Sequence, residues 1–123
     1  MASITRLDHV NLRTDRLDET IAFFEEVLGL ENRPEQRPDF GFPGAWLFVG
    51  DQAVVHLIEA NSTEAPAGAL DHVAFATPDF DGLLTTLDER DLPHRVSEQP
   101  GNGVRQVFFR EPNGVLIEVS STG

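Results

Sequence analysis

Leu7-Asp8-His9-Val10 recurs as Leu70-Asp71-His72-Val73, 63 positions further along the chain, and this repetition decides the fold. Four matching residues alone carry little weight. The second match carries more: Val54-Val55-His56-Leu57 lines up with Leu116-Ile117-Glu118-Val119, 62 positions on. Nearly one offset at both ends of two like-ordered segments is the mark of an internal duplication.

Working outward from the first copy, residues 4–13 alternate as a strand does. Leu7, His9, Asn11 and Arg13 point one way; Asp8, Val10 and Leu12 point the other. Thr14 or Asp15 can cap a following helix, because a side-chain oxygen there accepts from the free N–H groups of the first turn. Leu17, Ile21, Phe24 and Leu28 give that helix an apolar stripe, and Gly29 suits the left-handed position that stops it. A short extended piece near 31–37 and the loop Asp39-Phe40-Gly41-Phe42-Pro43-Gly44 lead to strands at 45–49 and 53–59, joined by a turn at Gly50-Asp51. Residues 60–69 are small and polar and contain proline, which reads as a linker.

The order then repeats. A strand at 70–76 precedes a helix opening at Thr77-Pro78, with proline at its first position and a stripe of Phe80, Leu83, Leu84 and Leu87. Strands follow at 93–98, 104–110 and 115–120, the last hairpin turning at Pro112-Asn113-Gly114. The expectation is one α+β domain over residues 1–123, built of two βαβββ modules at 4–59 and 70–120.

Composition narrows the chemistry. The chain has 123 residues, 9 Lys+Arg against 21 Asp+Glu, a net charge of −12 and no cysteine. Phosphate backbones and anionic lipids repel so acidic a surface, so no nucleic acid and no membrane are expected as partners. Without thiols there is no disulfide, no thiolate nucleophile and no thiolate-held metal. No apolar run approaches a membrane span or the core of a signal peptide, so a cytoplasmic location is the default expectation. No P-loop, dinucleotide glycine fingerprint or HExxH pattern is present. Imidazole and oxygen chemistry remain.

The duplication makes His9 equivalent to His72, and His56 equivalent to Glu118. Imidazole and carboxylate are both ligands for divalent metals. Alternation puts Val10/Leu12, Val73/Phe75 and Ile117/Val119 under the helices and the four candidates on the opposite face. A sheet curved about that face would gather them in a cavity, where Ala74, Ala76 and Ser120 leave room. A single strand histidine is more often structural than a ligand, and Glu118 alone could be one polar residue on an exposed face. Four metal-competent residues at four repeat-related positions point instead to a metal site using at least three of them, because an unpaired buried carboxylate is costly and a cation removes that cost. On the same face, Arg13 could hold an anionic group of a substrate, or lie at the sheet rim in solvent. Asn11 could bond a ligand oxygen or support His9. Phe42 and Trp46 belong to an aromatic stretch that could wall a cavity, with core packing the alternative for Trp46. His94 is expected at the surface, and Asp88-Glu89-Arg90-Asp91 as a solvated helix end.

The paired modules, the two LDHV strands, the helix phrase Phe23-Phe24-Glu25-Glu26-Val27-Leu28-Gly29-Leu30 and the closing Glu111-Pro112-Asn113-Gly114-Val115-Leu116-Ile117-Glu118 resemble the vicinal oxygen chelate superfamily. That group includes glyoxalase I, fosfomycin- and bleomycin-resistance proteins, methylmalonyl-CoA epimerase and extradiol ring-cleaving dioxygenases. The resemblance implies a curved mixed sheet around a divalent metal (Fe, Mn, Zn, Ni or Co) that chelates two adjacent oxygens of a small-molecule substrate. It implies His9, His56, His72 and Glu118 as ligand positions, and a homodimer. Glyoxalase I usually has a carboxylate or amide where His56 stands. His9, His72 and Glu118 make the two-His-one-carboxylate set of non-heme iron oxygenases, with His56 either a fourth ligand or an acid/base. Ring cleavage is therefore expected slightly ahead of a lyase or isomerase reaction, with His56 and Glu118 as catalytic groups. Bleomycin-type binding without catalysis and fosfomycin-type epoxide opening are the further alternatives.

Overall fold

A computed structural model of the chain describes residues 7–60, 72–99 and 102–122. It divides into two compact units, Met1–Thr63 and Glu64–Gly123. Residues 4–6 of the first expected strand, 61–69 of the expected linker, and Leu70-Asp71 of the second repeat lie outside the described residues.

In the first unit, β1 (Val10–Thr14), α1 (Leu17–Glu26), β2 (Glu31–Asn32), β3 (Gly44–Val49) and β4 (Gln52–Glu59) form a sheet ordered β1-β4-β3-β2. In the second, β5 (His72–Thr77), α2 (Phe80–Glu89), β6 (His94–Glu98), β7 (Arg105–Arg110) and β8 (Leu116–Ser121) form one ordered β5-β8-β7-β6. In each, the first strand runs parallel to the last and the other neighbours are antiparallel. The architecture is α+β: two βαβββ modules, each with its own four-stranded mixed sheet. Among the described residues no helix is long and apolar enough to cross a membrane.

Strand alternation sets each core. Leu12, Ala45, Leu47, Val55 and Leu57 are buried in the first unit with Phe23, Phe24 and Val27 of the α1 segment; Val107, Phe109, Ile117 and Val119 are buried in the second with Phe80, Leu83 and Leu87 of α2. Phe23 and Phe24 meet edge to face at 5.5 Å, the geometry that ring quadrupoles favour.

The α1 stripe is rotated from its expected phase. Its buried positions are Thr20, Phe23, Phe24 and Val27, while Leu17, Ile21 and Leu28 are half-buried flanks. Apolar periodicity passes over a threonine, yet the Thr20 hydroxyl lies 3.2 Å from the buried Thr14 hydroxyl. That pairing satisfies both polar groups and lets Thr20 occupy a core position. Thr14 also accepts from Arg16 N–H at 2.9 Å, but Arg16, not Thr14 or Asp15, holds the N-cap position. Gly29, at φ +73°, stops the helix as expected, and Leu30 N–H reaches back to Phe24 O at 3.0 Å.

Two expectations in the second unit change. α2 is capped by Asp79, whose carboxylate accepts from Gly82 N–H at 3.0 Å. Pro78 therefore precedes the cap and is not the first helical residue. His94 is half-buried: its Nδ1–H donates to Leu92 O at 2.7 Å, and Nε2 lies 3.4 Å from Asp88 Oδ1. The ring ties the end of α2 to the start of β6.

Glu111 is the buried carboxylate that the sequence does not single out. It is 2% exposed and accepts from Asn113 N–H at 2.8 Å, Asn113 Nδ2 at 2.9 Å and Val115 N–H at 3.0 Å. It shapes the turn that delivers β8, with Gly114 at φ +89°. Glu111→Ala is expected to cost about 2–3 kcal/mol in a denaturant titration, from losing hydrogen bonds to a charged acceptor. The exposed Glu89→Ala should stay within about 0.5 kcal/mol; equal effects would mean that Glu111 does not shape the turn.

Candidate functional site

Parallel pairing of first and last strands positions the candidate residues. β1 and β4 put Asn11 opposite His56, and β3 puts Trp46 opposite His56 from the other side. β5 and β8 put Ala74 opposite Glu118, and β7 puts Phe108 there. Each unit thus carries one cross-strand row on the face turned from its helix: Asn11-His56-Trp46 in the first, Ala74-Glu118-Phe108 in the second. The same slots hold different chemistry.

His9 lies just before β1, and its ring stacks on His56 at 3.7 Å with 9° between planes. Trp46 covers the other side of His56 at 4.3 Å and 15°. His9 Nδ1–H donates to Asp8 Oδ2 at 2.8 Å. His56 Nε2–H donates to Ala53 O at 3.1 Å. These acceptors engage Nδ1 of His9 and Nε2 of His56, leaving Nε2 of His9 and Nδ1 of His56 as the remaining candidate donor positions. A carboxylate or carbonyl behind the ring is the usual support of a metal-ligating histidine. Gln52 Nε2 bonds the carbonyls of Asp8 and Leu7, at 3.3 Å for Leu7, and so fixes the segment that carries His9. Burial, and then the neighbouring His9, push the His56 imidazole below the usual histidine range.

In the second unit His72 Nε2 lies 3.5 Å from Glu118 Oε1. Ser120 Oγ–H donates to Glu118 Oε2 at 3.2 Å. The Glu118 side chain is 15% exposed and that of His72 36%. Two donors each about 2.1 Å from one ion, at a near-tetrahedral angle, stand roughly 3.4 Å apart. The spacing of this pair matches such a shared ion.

The structure thus brings His9 to His56 and His72 to Glu118. Among the described residues it gathers no group of three or more His, Asp or Glu side chains around one point.

A pocket of about 130 Å³ opens in the first unit, lined by Asn11, Arg37, Phe40, Phe42, Trp46 and His56 with Leu57 and Ile58. Asn11, Phe42 and Trp46, all marked as substrate candidates in the sequence, meet there. Arg13 is exposed two cross-strand pairs further along β1, opposite Ile58, and does not line the pocket. Trp46 is half-buried against His56 and outside the hydrophobic core. Arg37, on the segment leading to the aromatic loop, was not legible as a pocket residue. Its position depends on the chain reversal through Pro34–Gln36, a 3-10 turn where the sequence suggested extended chain.

The chain matches the model of the Glyoxalase/Bleomycin resistance protein/Dioxygenase superfamily over residues 6–119. "Glyoxylase I 4" from Arabidopsis thaliana is 32% identical over 125 residues, covering 94% of this chain and 70% of the relative. The structure of a protein from Bacillus anthracis assigned to the glyoxalase family superposes with a TM-score of 0.80 at 22% identity, over 100% of this chain and 99% of that one. Lactoylglutathione lyase from Agrobacterium tumefaciens superposes with a TM-score of 0.71 at 25% identity, over 98% and 96%. On its sequence and its fold alike, the chain belongs to the Glyoxalase/Bleomycin resistance protein/Dioxygenase superfamily.

Proposed function

We propose that the protein is a divalent-metal-dependent enzyme acting on a small substrate with two adjacent oxygens, by lyase or isomerase chemistry. The observation that carries this is the support given to the candidate donors. His9 and His56 each have one ring nitrogen engaged by an acceptor and the other left as a candidate donor, and His72 Nε2 lies 3.5 Å from Glu118 Oε1. Such a donor set fits a borderline or hard divalent ion. His9, His72 and Glu118 would hold it, with His56 either a fourth ligand through Nδ1 or an acid/base group beside it. When bound, it would supply Lewis acidity toward the two substrate oxygens. The lyase name of the Agrobacterium tumefaciens structure favours this chemistry over the ring cleavage suggested by the two-His-one-carboxylate set.

His56 and Glu118 are the proton-handling groups in this reading. Where His56 is not a ligand, burial and then His9 disfavour its imidazolium, so its Nδ1 would be available as a base. Glu118 is oriented through Ser120, which fixes Oε2 and leaves Oε1 toward His72. Asn11, Phe42 and Trp46 would contact the substrate, with Arg13 a further candidate at the edge of that face. The enzyme would work as a homodimer.

Protein purified without chelator is expected to retain about one divalent ion per chain. Glu118→Gln should weaken retention at least tenfold, as loss of a ligand or its support does, while His94→Gln should leave it unchanged. No bound ion, or equal losses in the two variants, would remove the reading. Turnover of a hemithioacetal with Ni(II) or Zn(II), and none of a catechol with Fe(II) under oxygen, is the expected pattern; the reverse would restore ring cleavage. In metal-free protein the His56 ring should titrate by NMR below the ordinary value of about 6.5. The sign follows from linkage: the unfolded chain takes up this proton first, so the fold loses stability as pH falls below that value. A midpoint at or above it would rule out a neutral His56 base.

A further inference from the structure

The pocket of the first unit carries a recognition chemistry beyond that of a metal site. Its walls are the rings of Phe40, Phe42 and Trp46, with Phe40 stacked on Phe42 at 5.7 Å and 20°, and 6.2 Å from Trp46. Its volume of about 130 Å³ is the scale of one six-membered ring, since a cavity of roughly 150 Å³ holds benzene. An aromatic-lined pocket of that size favours a flat group, which can lie against the rings.

Arg37 supplies the charge. Its guanidinium lies 5.1 Å from the Phe40 ring and 5.4 Å from the Phe42 ring, and donates to Phe42 O at 3.2 Å. It is seated against Gly44: a Cβ there would come within 2.7 Å of Arg37 Nη2 and would also collide with Leu57 O. The Leu57 carbonyl is the fixed obstacle to a side chain there, and the guanidinium occupies the space beside it. Arg16, Arg33 and Arg105 each pair with a carboxylate in this acidic chain, whereas among the described residues the contacts of Arg37 are two rings and a carbonyl. A guanidinium whose fork has spare donors binds a carboxylate with two parallel hydrogen bonds.

We infer that this pocket binds a single aromatic ring bearing a carboxylate, the ring seated on the aromatic surface that Phe40, Phe42 and Trp46 form together and the carboxylate on Arg37. The inference deepens the proposed function, resting on it only in that His56, a candidate ligand, forms one wall. Asn11, on the His56 row, is placed to bond a ring substituent. The anion-holding role expected of Arg13 passes to Arg37.

Trp46 is the sole tryptophan and the chain has no tyrosine, so its fluorescence reports on the pocket directly. Metal-free, chelator-treated protein titrated with benzoate is expected to change Trp46 emission saturably in the millimolar range or tighter. Benzyl alcohol should bind about tenfold more weakly and acetate not at all, because a charge-assisted pair is lost in one and the ring in the other. Arg37→Gln should lower benzoate affinity about tenfold and leave benzyl alcohol unchanged; Arg37→Lys should recover part of the loss. Unchanged far-UV circular dichroism separates these losses from misfolding. Equal binding of benzoate and benzyl alcohol, no response to benzoate, or a loss in Arg13→Gln but not in Arg37→Gln would overturn the inference. Since the titration is done without metal, failure of metal retention leaves this result standing, and a silent pocket leaves the metal result standing.

Discussion

Parallel pairing between the first and last strand of each module is the constraint on which the rest depends. It brings together residues that are far apart in sequence, Asn11 with His56 and Ala74 with Glu118. An antiparallel first strand would run the other way and carry its N-terminal histidine to the opposite end of the sheet. A parallel neighbour also requires a crossover, and the helix supplies it. The helix then covers one face of the sheet, so candidate chemistry has only the other face to occupy. Helix, core and donor pairs are therefore consequences of one connection made twice.

Within that frame the two modules have diverged. The row that reads Asn11-His56-Trp46 in one reads Ala74-Glu118-Phe108 in the other. The ring of Phe108 lies under the Arg95 guanidinium at 4.7 Å, whereas the ring of Trp46 lies on an imidazole. One module presents flat surface and a cation at a pocket; the other presents a carboxylate among small side chains. Duplication preserves backbone slots, and side-chain substitution then fills them with different chemistry.

The duplication, the element order and the sheet faces were legible because they rest on period and repetition. Val10 and Leu12 read correctly from alternation alone, and so did the stop at Gly29 from its residue type, whereas His9, expected inside the first strand, lies just before it. Thr20 did not, because apolar periodicity ignores a hydroxyl that another hydroxyl satisfies. His94 did not, because its partners, Leu92 O and Asp88, act through the helix end and not through the repeat. Glu111 was read only as part of a closing phrase, since nothing local announces that its carboxylate will gather three N–H donors. Arg37 was missed for a related reason: its place depends on a loop path. The donor pairs were marked residue by residue, but the acceptors that engage one ring nitrogen each of His9 and His56 are Asp8 and Ala53 O, and a backbone acceptor leaves no trace in sequence.

Gly44 joins two properties that proteins usually keep apart. Its bare Cα permits β3 to lie close to β4 at Leu57 and leaves space that Arg37 occupies beside the aromatic loop. A side chain there would meet the fixed Leu57 carbonyl and disturb strand pairing, and the guanidinium would move aside. Variation that retunes ligand choice is thereby steered to the exposed rings of Phe40 and Phe42, which can change without touching the sheet. The pocket has an adjustable wall and a fixed floor, and one missing methyl group draws the border between them.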